Sequence, residues 1–294
     1  MMTDNRFQTS GSLRFSLCIG LLLLIMAGCQ DEETPQGNEP EFPPYPTVSF
    51  NCIEVSEEQK SDAQSVTNTQ SYQYTEGRLT GCITTQTLYV VEPVEYSHTT
   101  QVSYEAQQAV VSDDFGNVST YTLDSYGYAT SCIRREVGGD VRNYTFSYYI
   151  AQDGTRHLSH IEEELADGSK YAEISLDYAD YPTLHITHRI DEFEQSFTAT
   201  TSDEARYINL SELPFLFLSE QHPLCLHTCA LYGKLLGEPL KLLVTDLKPD
   251  GESEGNETVS YSYTFDSENL VTQCNIVTHS YGKKFERELR YVIR

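Results

Sequence analysis

Two twelve-residue stretches of this chain, YTLDSYGYATSC at residues 121–132 and YTFDSENLVTQC at residues 263–274, align without a gap and share six residues. Each consists of an aromatic run, a turn of Asp, Ser, Gly or Asn, and a second alternating run. A looser copy, YQYTEGRLTGC, occupies residues 72–82, and YYIAQDGTRHLSHI at residues 148–161 has the same form without the cysteine. This is the sequence pattern of a β-hairpin, repeated along the chain.

The turns and the flanking runs support the hairpin interpretation. Gly127 and Asn269 can adopt the positive φ of a tight turn, and Asp124 and Asp266 can accept hydrogen bonds from the turn backbone. Before the last turn, four large apolar residues alternate with three hydroxyl residues: Val259, Tyr261, Tyr263 and Phe265 with Ser260, Ser262 and Thr264. A period of two with one aromatic face is typical of half-buried antiparallel strands, so we expect the aromatic face inside.

Hairpins of this kind are predicted along most of the chain, near residues 72–90, 96–112, 118–135, 141–163, 170–198 and 258–294. They predict a mainly β fold, an antiparallel meander of roughly ten or more strands that is curved or barrel-like. Residues 211–247 break the pattern, because they are leucine-rich and contain three prolines. We expect one or two short helices there, plugging an end of the sheet or lying across it. Residues 48–294 then form a single β domain.

The first 28 residues are typical of a secretory signal. Residues 17–26 are an uncharged apolar run, too short to span a membrane but of the length found in signal peptides. Ala27 and Gly28 precede Cys29, as in a lipoprotein cleavage site, so Cys29 is the predicted lipidation site. Residues 29–47 are acidic and rich in proline, which predicts an extended tether.

The charge of the chain argues against one class of partner. The formal net charge is −25, and removal of residues 1–28, with two arginines and one aspartate, makes it −26. Such a surface repels phosphate backbones, so no nucleic-acid partner is expected. Six cysteines remain for the mature domain, namely Cys52, Cys82, Cys132, Cys225, Cys229 and Cys274. One interpretation is that they form disulfides. The alternative, for the repeat cysteines Cys82, Cys132 and Cys274, is that they pack as small apolar residues. In the last repeat, Cys274 would share a face with Leu270 and Ile276.

The candidates for a metal site are weak. Cys225 and Cys229 would share a helix face, and His222 could fold back toward them. Two thiols still need a third and a fourth ligand, and no second Cys/His cluster is evident in the sequence. His185 and His188 stand three apart on a predicted strand, which directs them to opposite faces. Residues 250–257 resemble the start of a calcium loop but lack its final glutamate, since Tyr261 occupies that position. No metal or other cofactor is predicted.

The hairpins ending at Cys132 and Cys274, together with Gly233, Lys234, Leu235, Pro239 and Leu240, resemble a Bacteroidota lipoprotein family of unknown function with a porin-like domain. The resemblance runs from about residue 72 to residue 294. It implies a curved or closed antiparallel sheet and no catalytic residues. Members usually carry Ile or Val where this chain has the repeat cysteines, which favours packing thiols. The acidic residues at 31–33 are similar to the signal that sends such lipoproteins to the outer-membrane surface, and a periplasmic location is the alternative.

The sequence therefore predicts a cell-envelope lipoprotein, held to the membrane through its N-terminal lipid, that binds a ligand, glycan or protein without catalysis. An extracellular polymer hydrolase is the second hypothesis. It has no nucleophile motif to support it, and the chain has no Trp for the sugar platform common in such clefts. A pore-like outer-membrane element is the third, and polar residues on many strand faces speak against it.

Overall fold

A computed structural model of the chain describes residues 45–60, 65–89, 92–202, 204–221, 228–251 and 257–294. These residues form one closed barrel of sixteen antiparallel strands. The strands are β1 Cys52–Lys60, β2 Ser65–Thr75, β3 Arg78–Tyr89, β4 Pro93–Glu105, β5 Gln108–Asp113, β6 Val118–Leu123, β7 Ala129–Arg135, β8 Val141–Ile150, β9 Arg156–Leu165, β10 Lys170–Asp177, β11 Thr183–Ile190, β12 Phe193–Thr201, β13 Val244–Pro249, β14 Thr258–Phe265, β15 Val271–Ser280 and β16 Lys283–Ile293. Two short helices, α1 Leu216–Gln221 and α2 Thr228–Tyr232, follow a single 3-10 turn at Ala205–Tyr207.

Each strand pairs with its neighbour in sequence, and β1 pairs with β16 through Ile53 opposite Ile293 and Val55 opposite Tyr291. Closure leaves no unpaired sheet edge. The predicted meander and the two helices in residues 211–247 are confirmed. Two strands were missed, however: β1, and β13, which begins inside the leucine-rich stretch. The first predicted hairpin also begins too late, because β2 starts at Ser65 rather than near residue 72.

The barrel has two ends that differ in construction. The segment of residues 202–243 joins β12 to β13, and its described residues (202, 204–221 and 228–243) contain both helices; we call these described residues the plug. Strand direction places the plug at the same end as the turns of residues 76–77, 106–107, 124–128, 151–155, 178–182 and 266–270, and we call this the plug end. The other end carries the turns of residues 114–117, 136–140, 166–169, 191–192 and 281–282, and because no described residue plugs it we call it the open end.

The plug lies inside the barrel, because it contacts strands on opposite sides of the ring. Tyr232 of α2 stacks on Tyr72 of β2 at a centroid distance of 3.7 Å. Seven strands away, the backbone N–H of Glu238 donates to the carbonyl of Arg156 on β9 at 2.8 Å. Both tyrosines are buried, and the aromatic pair adds about 0.5–1.5 kcal/mol to the free energy of their burial.

Five β-bulges near the plug end provide the docking surface for the plug. Each inserts one residue, a threonine or serine, into a strand: Thr80, Thr130, Ser159, Thr245 and Thr272. The four threonine hydroxyls donate to carbonyls of the preceding strands at 3.0–3.2 Å. A bulge frees backbone groups from the ladder and bends the strand. The plug accepts two of the freed N–H groups, that of Ala129 at the Leu235 carbonyl (2.8 Å) and that of Val271 at the Ser211 hydroxyl (2.7 Å).

The bulges also correct one prediction from the repeat. Cys274 does share the inner face with Ile276, but the insertion at Thr272 turns Val271 inward in place of Leu270. Val271 is buried and Leu270 only half-buried. Cys82 and Cys132 follow the inserted residues Thr80 and Thr130 by two positions, as Cys274 follows Thr272. Both cysteines are buried in the same way. All five cysteines in the described parts of the chain (Cys52, Cys82, Cys132, Cys229 and Cys274) are free thiols.

A buried lysine fastens the plug. Lys234 is 6% exposed, and its Nζ donates to the carbonyl of Thr47 at 2.8 Å and lies 3.0 Å from Glu212 and 2.9 Å from Glu238. Two carboxylates and a carbonyl around one ammonium supply the partners that a buried charge requires. Gly237 allows the close approach to β9, since a Cβ there would lie 3.0 Å from the Arg156 carbonyl oxygen and φ is +97°. Residues 233–240 therefore hold the plug in place through their contacts with Thr47 and β9.

The hairpin predictions agree with the structure. Asp124 and Asp266 each accept two backbone N–H groups of their turns, and Gly127 and Asn269 have φ of +86° and +64°. On β14 the aromatic face is inside, with Tyr261 fully buried. Its neighbours on that face pack partly buried on the core, while the three intervening hydroxyl residues are exposed.

The outer wall is polar and charged. Across β9 to β12, outward-facing side chains form a network in which Lys170 contacts Glu162 and Glu173, and Arg189 contacts Glu173 and Glu194. No helix among the described residues is long and apolar enough to cross a membrane.

Candidate functional site

The inner wall changes character halfway along the barrel. Around the plug, inward residues are apolar, as with Ile53 and Val55 on β1 or Tyr72 on β2. Toward the open end, the next inward positions on the same strands are Glu57 on β1 and Gln70 and Asn68 on β2. Other strands continue the change with Thr84, Thr100, Asp113, Arg134 and Arg287. Because the plug fills only one end, these polar side chains line empty space.

That space is a cavity of about 530 Å³, which we call the cup. The eight polar side chains form its wall, and the plug forms its floor through Leu216, Ser219, Thr228, Cys229 and Tyr232. Amides, hydroxyls and guanidinium groups predominate, and one wall extends beyond the core, because the first seven residues of β4 are exposed on both faces. Barrel mouths of this size are a common position for small-ligand sites.

The central charges of the cup are paired. The Arg287 guanidinium donates through Nε and a terminal nitrogen to the two carboxylate oxygens of Glu57, at 2.8 and 3.1 Å. Such a two-point contact is strong and directional. These hydrogen bonds hold the pKa of the Glu57 carboxyl below its usual range, so the group is ionised at neutral pH. The pair presents its remaining surface to the cup without excess charge.

Two further wall groups are also held in position. Arg134 Nε donates to Glu136 at 3.0 Å. Asp113 accepts the backbone N–H groups of Phe115 and Asn117 at 3.1 and 2.9 Å, which fixes the β5–β6 turn. The cup is therefore a preorganised polar surface with fixed side chains, suited to hydrogen bonding of a ligand.

The floor contains the one predicted metal candidate that the structure describes. Cys229 is buried, and a hydrogen bond with Cys82 together with burial raises the pKa of its thiol, which keeps it protonated. His222 and Cys225 lie outside the described residues, as does Cys29. Within the described ranges, no group of three His, Cys, Asp or Glu side chains is placed to hold a metal ion.

The two histidines of β11 and the acidic residues 162–164 of β9 have structural roles. His185 and His188 are on opposite faces of β11 as predicted, with His188 buried and His185 beside Asp180 at 3.4 Å. Of the acidic run 162–164, only Glu163 faces inward, where Arg142 binds it at 3.0 Å. In the calcium-like stretch, residues 252–256 lie outside the described part of the chain.

The sequence interpretation missed the whole cup. The signal was present, because alternating strand faces pass from apolar to polar residues partway along, as from Val55 to Glu57. To use this change in polarity, β1 would have had to be recognised as a strand, which it was not. The closure of the barrel, which brings β1 beside β16, would also have had to be known. Only the pairing of the first and last strands places Glu57 next to Arg287.

Fold and cup together define a class: a closed sixteen-stranded antiparallel barrel, plugged at one end and with a polar cavity toward the other. The chain belongs to the family described as a domain of unknown function (DUF4595) with porin-like fold, whose profile matches residues 52–273. The resemblance inferred from the sequence is confirmed.

Solved structures agree. A porin-like protein from Bacteroides uniformis ATCC 8492 is 41% identical and superposes with a TM-score of 0.80, covering 86% of this chain and 100% of its own. A porin-like protein from Bacteroides vulgatus ATCC 8482 shares the fold at 11% identity, with a TM-score of 0.50 and coverages of 83% and 98%. A comparison with curated proteins gave no match.

Proposed function

We propose that this protein is a cell-envelope lipoprotein, anchored through lipid on Cys29, whose plugged barrel binds a small polar ligand in the cup without chemical conversion. The observation that carries the proposal is the cup itself, about 530 Å³ of space lined by paired charges, amides and hydroxyls over a floor that the plug provides. The anchor rests on the signal pattern of residues 1–28 and on the small residues before Cys29.

The ligand class follows from the wall. Glu57 and Arg287 neutralise each other, as do Arg134 and Glu136, so the cup favours a ligand with many hydroxyl or amide groups and little net charge. Polar groups that are fixed before binding lose less entropy when a ligand arrives. A purely apolar ligand would leave them without water or partners, at a cost of about 1–3 kcal/mol for each group.

The pore-like alternative is disfavoured by both faces of the barrel. A membrane-spanning barrel presents apolar residues outward, and an Arg or Lys at the bilayer midplane costs about 2–4 kcal/mol. Here the outward face of β9 to β12 carries Glu162, Glu173, Arg189 and Glu194. The plug, in turn, occupies one end of the lumen that a pore needs to keep open.

Among the described residues that line the cup, no acid suits the hydrolase alternative. A general acid needs a carboxyl with a raised pKa. The Glu57 carboxyl has a lowered pKa because Arg287 binds it. Asp113 is committed to the backbone of its own turn, so neither carboxylate is poised for proton transfer.

The anchor is tested by replacing Cys29 with serine in the full chain. We expect the wild-type protein in the carbonate-washed membrane fraction with acyl label incorporated, and the Cys29→Ser protein without label and released. Labelled Cys29→Ser protein that stays in the membrane would refute lipidation at this residue.

The cup is tested by filling it. Thr100→Trp places an indole inside the cup, whereas Gln101→Trp places one on the outer wall of the same strand. Native mass spectrometry of the full lipoprotein, purified from its own membranes, should show a retained small molecule in the wild type and in Gln101→Trp but not in Thr100→Trp. Equal retention by both variants would place the ligand elsewhere.

A further inference from the structure

A second cavity, of about 510 Å³, lies at the plug end between two turns of the barrel and the exit of the plug. We call it the aromatic cleft. Its walls come from the end of β8, the β8–β9 turn, the start of β9, the β10–β11 turn and the plug. They carry Tyr149, Asp153, His157, Tyr178, Tyr181 and Lys241. It shares no lining residue with the cup.

The tyrosines of the cleft form a supported platform. Tyr149 stacks on Tyr178 with the rings 5° from parallel and their centroids 4.9 Å apart. Tyr178 is buried, and its hydroxyl donates to the Leu158 carbonyl at 2.8 Å. One face of Tyr149 is therefore covered and rigidly backed, while its side chain, like that of Tyr181, remains more than a third exposed. The cleft thus offers two partly exposed aromatic rings, one of which is held in place by a buried partner.

A buried histidine adds a hydrogen-bond acceptor. His157 is 94% buried, and its Nδ1 lies 3.0 Å from the Glu238 carbonyl oxygen, which can only accept. Nδ1 therefore carries the proton and Nε2 carries a lone pair, and no described side chain or backbone group binds Nε2. Burial lowers the pKa of His157, so the ring stays neutral at physiological pH.

The edge of the cleft carries a fixed charge pair. Lys241 of the plug binds Asp153 of the β8–β9 turn, and this hydrogen bond holds the pKa of the Asp153 carboxyl below its usual range. The pair offers ammonium protons and carboxylate oxygens at the mouth of the cleft with no net charge between them.

We propose that the aromatic cleft binds a carbohydrate, with the apolar face of one pyranose ring on Tyr149 and Tyr181 and a hydroxyl donating to His157 Nε2. A sugar ring combines a C–H face, which packs on an aromatic ring, with hydroxyls at its edge, which match the acceptor and the Lys241–Asp153 pair. A nucleotide fits poorly, because the chain is strongly acidic and Asp153 stands at the mouth. The site is independent of the cup and of the function proposed for it.

The test uses the full-length lipoprotein in detergent and three disaccharides, maltose, lactose and chitobiose, with adenosine as a planar comparison. Saturation-transfer NMR detects contact, and titration gives the affinity. Tyr181→Ala removes one ring of the platform and His157→Gln removes the imidazole. Tyr281→Ala is the matched control, since Tyr281 is an exposed tyrosine at the open end. Thr100→Trp serves as a second control, because it fills the cup alone.

We expect at least one disaccharide to bind, with affinity falling about tenfold in Tyr181→Ala, as the loss of one aromatic contact implies. His157→Gln should weaken binding as well, while Tyr281→Ala and Thr100→Trp should bind as the wild type does. Absence of binding by all three sugars at 50 mM of each, on the order of ten times the ~5 mM of a weak site, would overturn the proposal. So would binding that Tyr181→Ala leaves unchanged, or adenosine binding more tightly than any sugar. Loss of binding in Thr100→Trp would move the sugar to the cup and equally overturn it.

Discussion

The plug end and the open end of this barrel are built from the same strands and have opposite interiors. At the plug end, inward tyrosines such as Tyr72 are completely buried against α2. At the open end, Tyr96 occupies an inward position on β4, yet 56% of it is exposed. The strand pattern is the same in both places, so burial is decided by the plug and not by the sheet. Stability should therefore be concentrated at the plug end, while the space of the cup is left at the open end.

The largest expected effect is a difference in unfolding free energy between alanine variants of two tyrosines, one at each end of the barrel. Tyr72→Ala should cost about 3–5 kcal/mol of unfolding free energy, because it removes a buried ring and leaves a cavity against Tyr232. Tyr96→Ala should stay within about 0.5 kcal/mol. Urea denaturation followed by circular dichroism measures both. Similar costs for the two variants would mean that the ends do not differ in packing.

The ion network of the plug should have a comparable effect. Lys234→Met leaves Glu212 and Glu238 without their cation, which typically costs about 3–5 kcal/mol in a buried network. Lys284→Met, at an exposed position near the open end, should change stability by less than about 0.5 kcal/mol. Thermal unfolding of both variants provides the comparison. If Lys234→Met unfolds like the wild type, the plug is not held by this residue.

A smaller effect is expected from the bulges. The Thr272 hydroxyl donates to the Thr264 carbonyl at 3.1 Å, and Thr272→Val removes this bond with little change in shape. The loss should be about 1 kcal/mol, the usual net value of such a hydrogen bond. Thr264→Val, whose side chain faces outward on the partner strand, is the control and should be near neutral. Equal effects would show that the bulge hydroxyl contributes nothing specific.

The smallest effect lies in the cup and depends on pH. Because the folded-state pKa of Glu57 is depressed, the Glu57–Arg287 pair contributes stability above the unfolded-state pKa of about 4.3, and this is lost as pH falls through the folded-state pKa. Glu57→Gln should therefore be less stable than wild type at pH 7, by at most about 1 kcal/mol, and indistinguishable at the lowest pH. A constant difference at all pH values would contradict the assignment.

The sequence predicted the hairpins because their information is local. Asp124, Gly127 and the alternation at residues 259–265 each act within a few residues, and their turn geometry and inner face are confirmed. Three of the five bulges fall at the threonine that precedes a repeat cysteine by two positions, namely Thr80, Thr130 and Thr272. That threonine was read as an ordinary strand residue, since nothing in a single sequence marks an insertion between two strands.

The site could not be predicted for a different reason. Glu57 and Arg287 are separated by 230 positions and meet only because the barrel closes. The aromatic cleft likewise joins Tyr149, Tyr181 and Lys241 from three separate segments. The predicted metal candidates, by contrast, were near one another in sequence, and the one described, Cys229, is a buried floor residue.

The most direct test of whether the plug occupies one end of the barrel is hydrogen exchange at two backbone amides. These amides lie beside the bulges and donate hydrogen bonds to the plug. The N–H groups of Ala129 and Val271 are not part of the strand ladder and bond to Leu235 and Ser211 of the plug. If the plug seals this end, both amides should exchange only through global unfolding, as slowly as the amides at the centre of β15. Exchange as fast as that of the exposed Gly139 amide at the open end would show that the plug does not occupy the barrel.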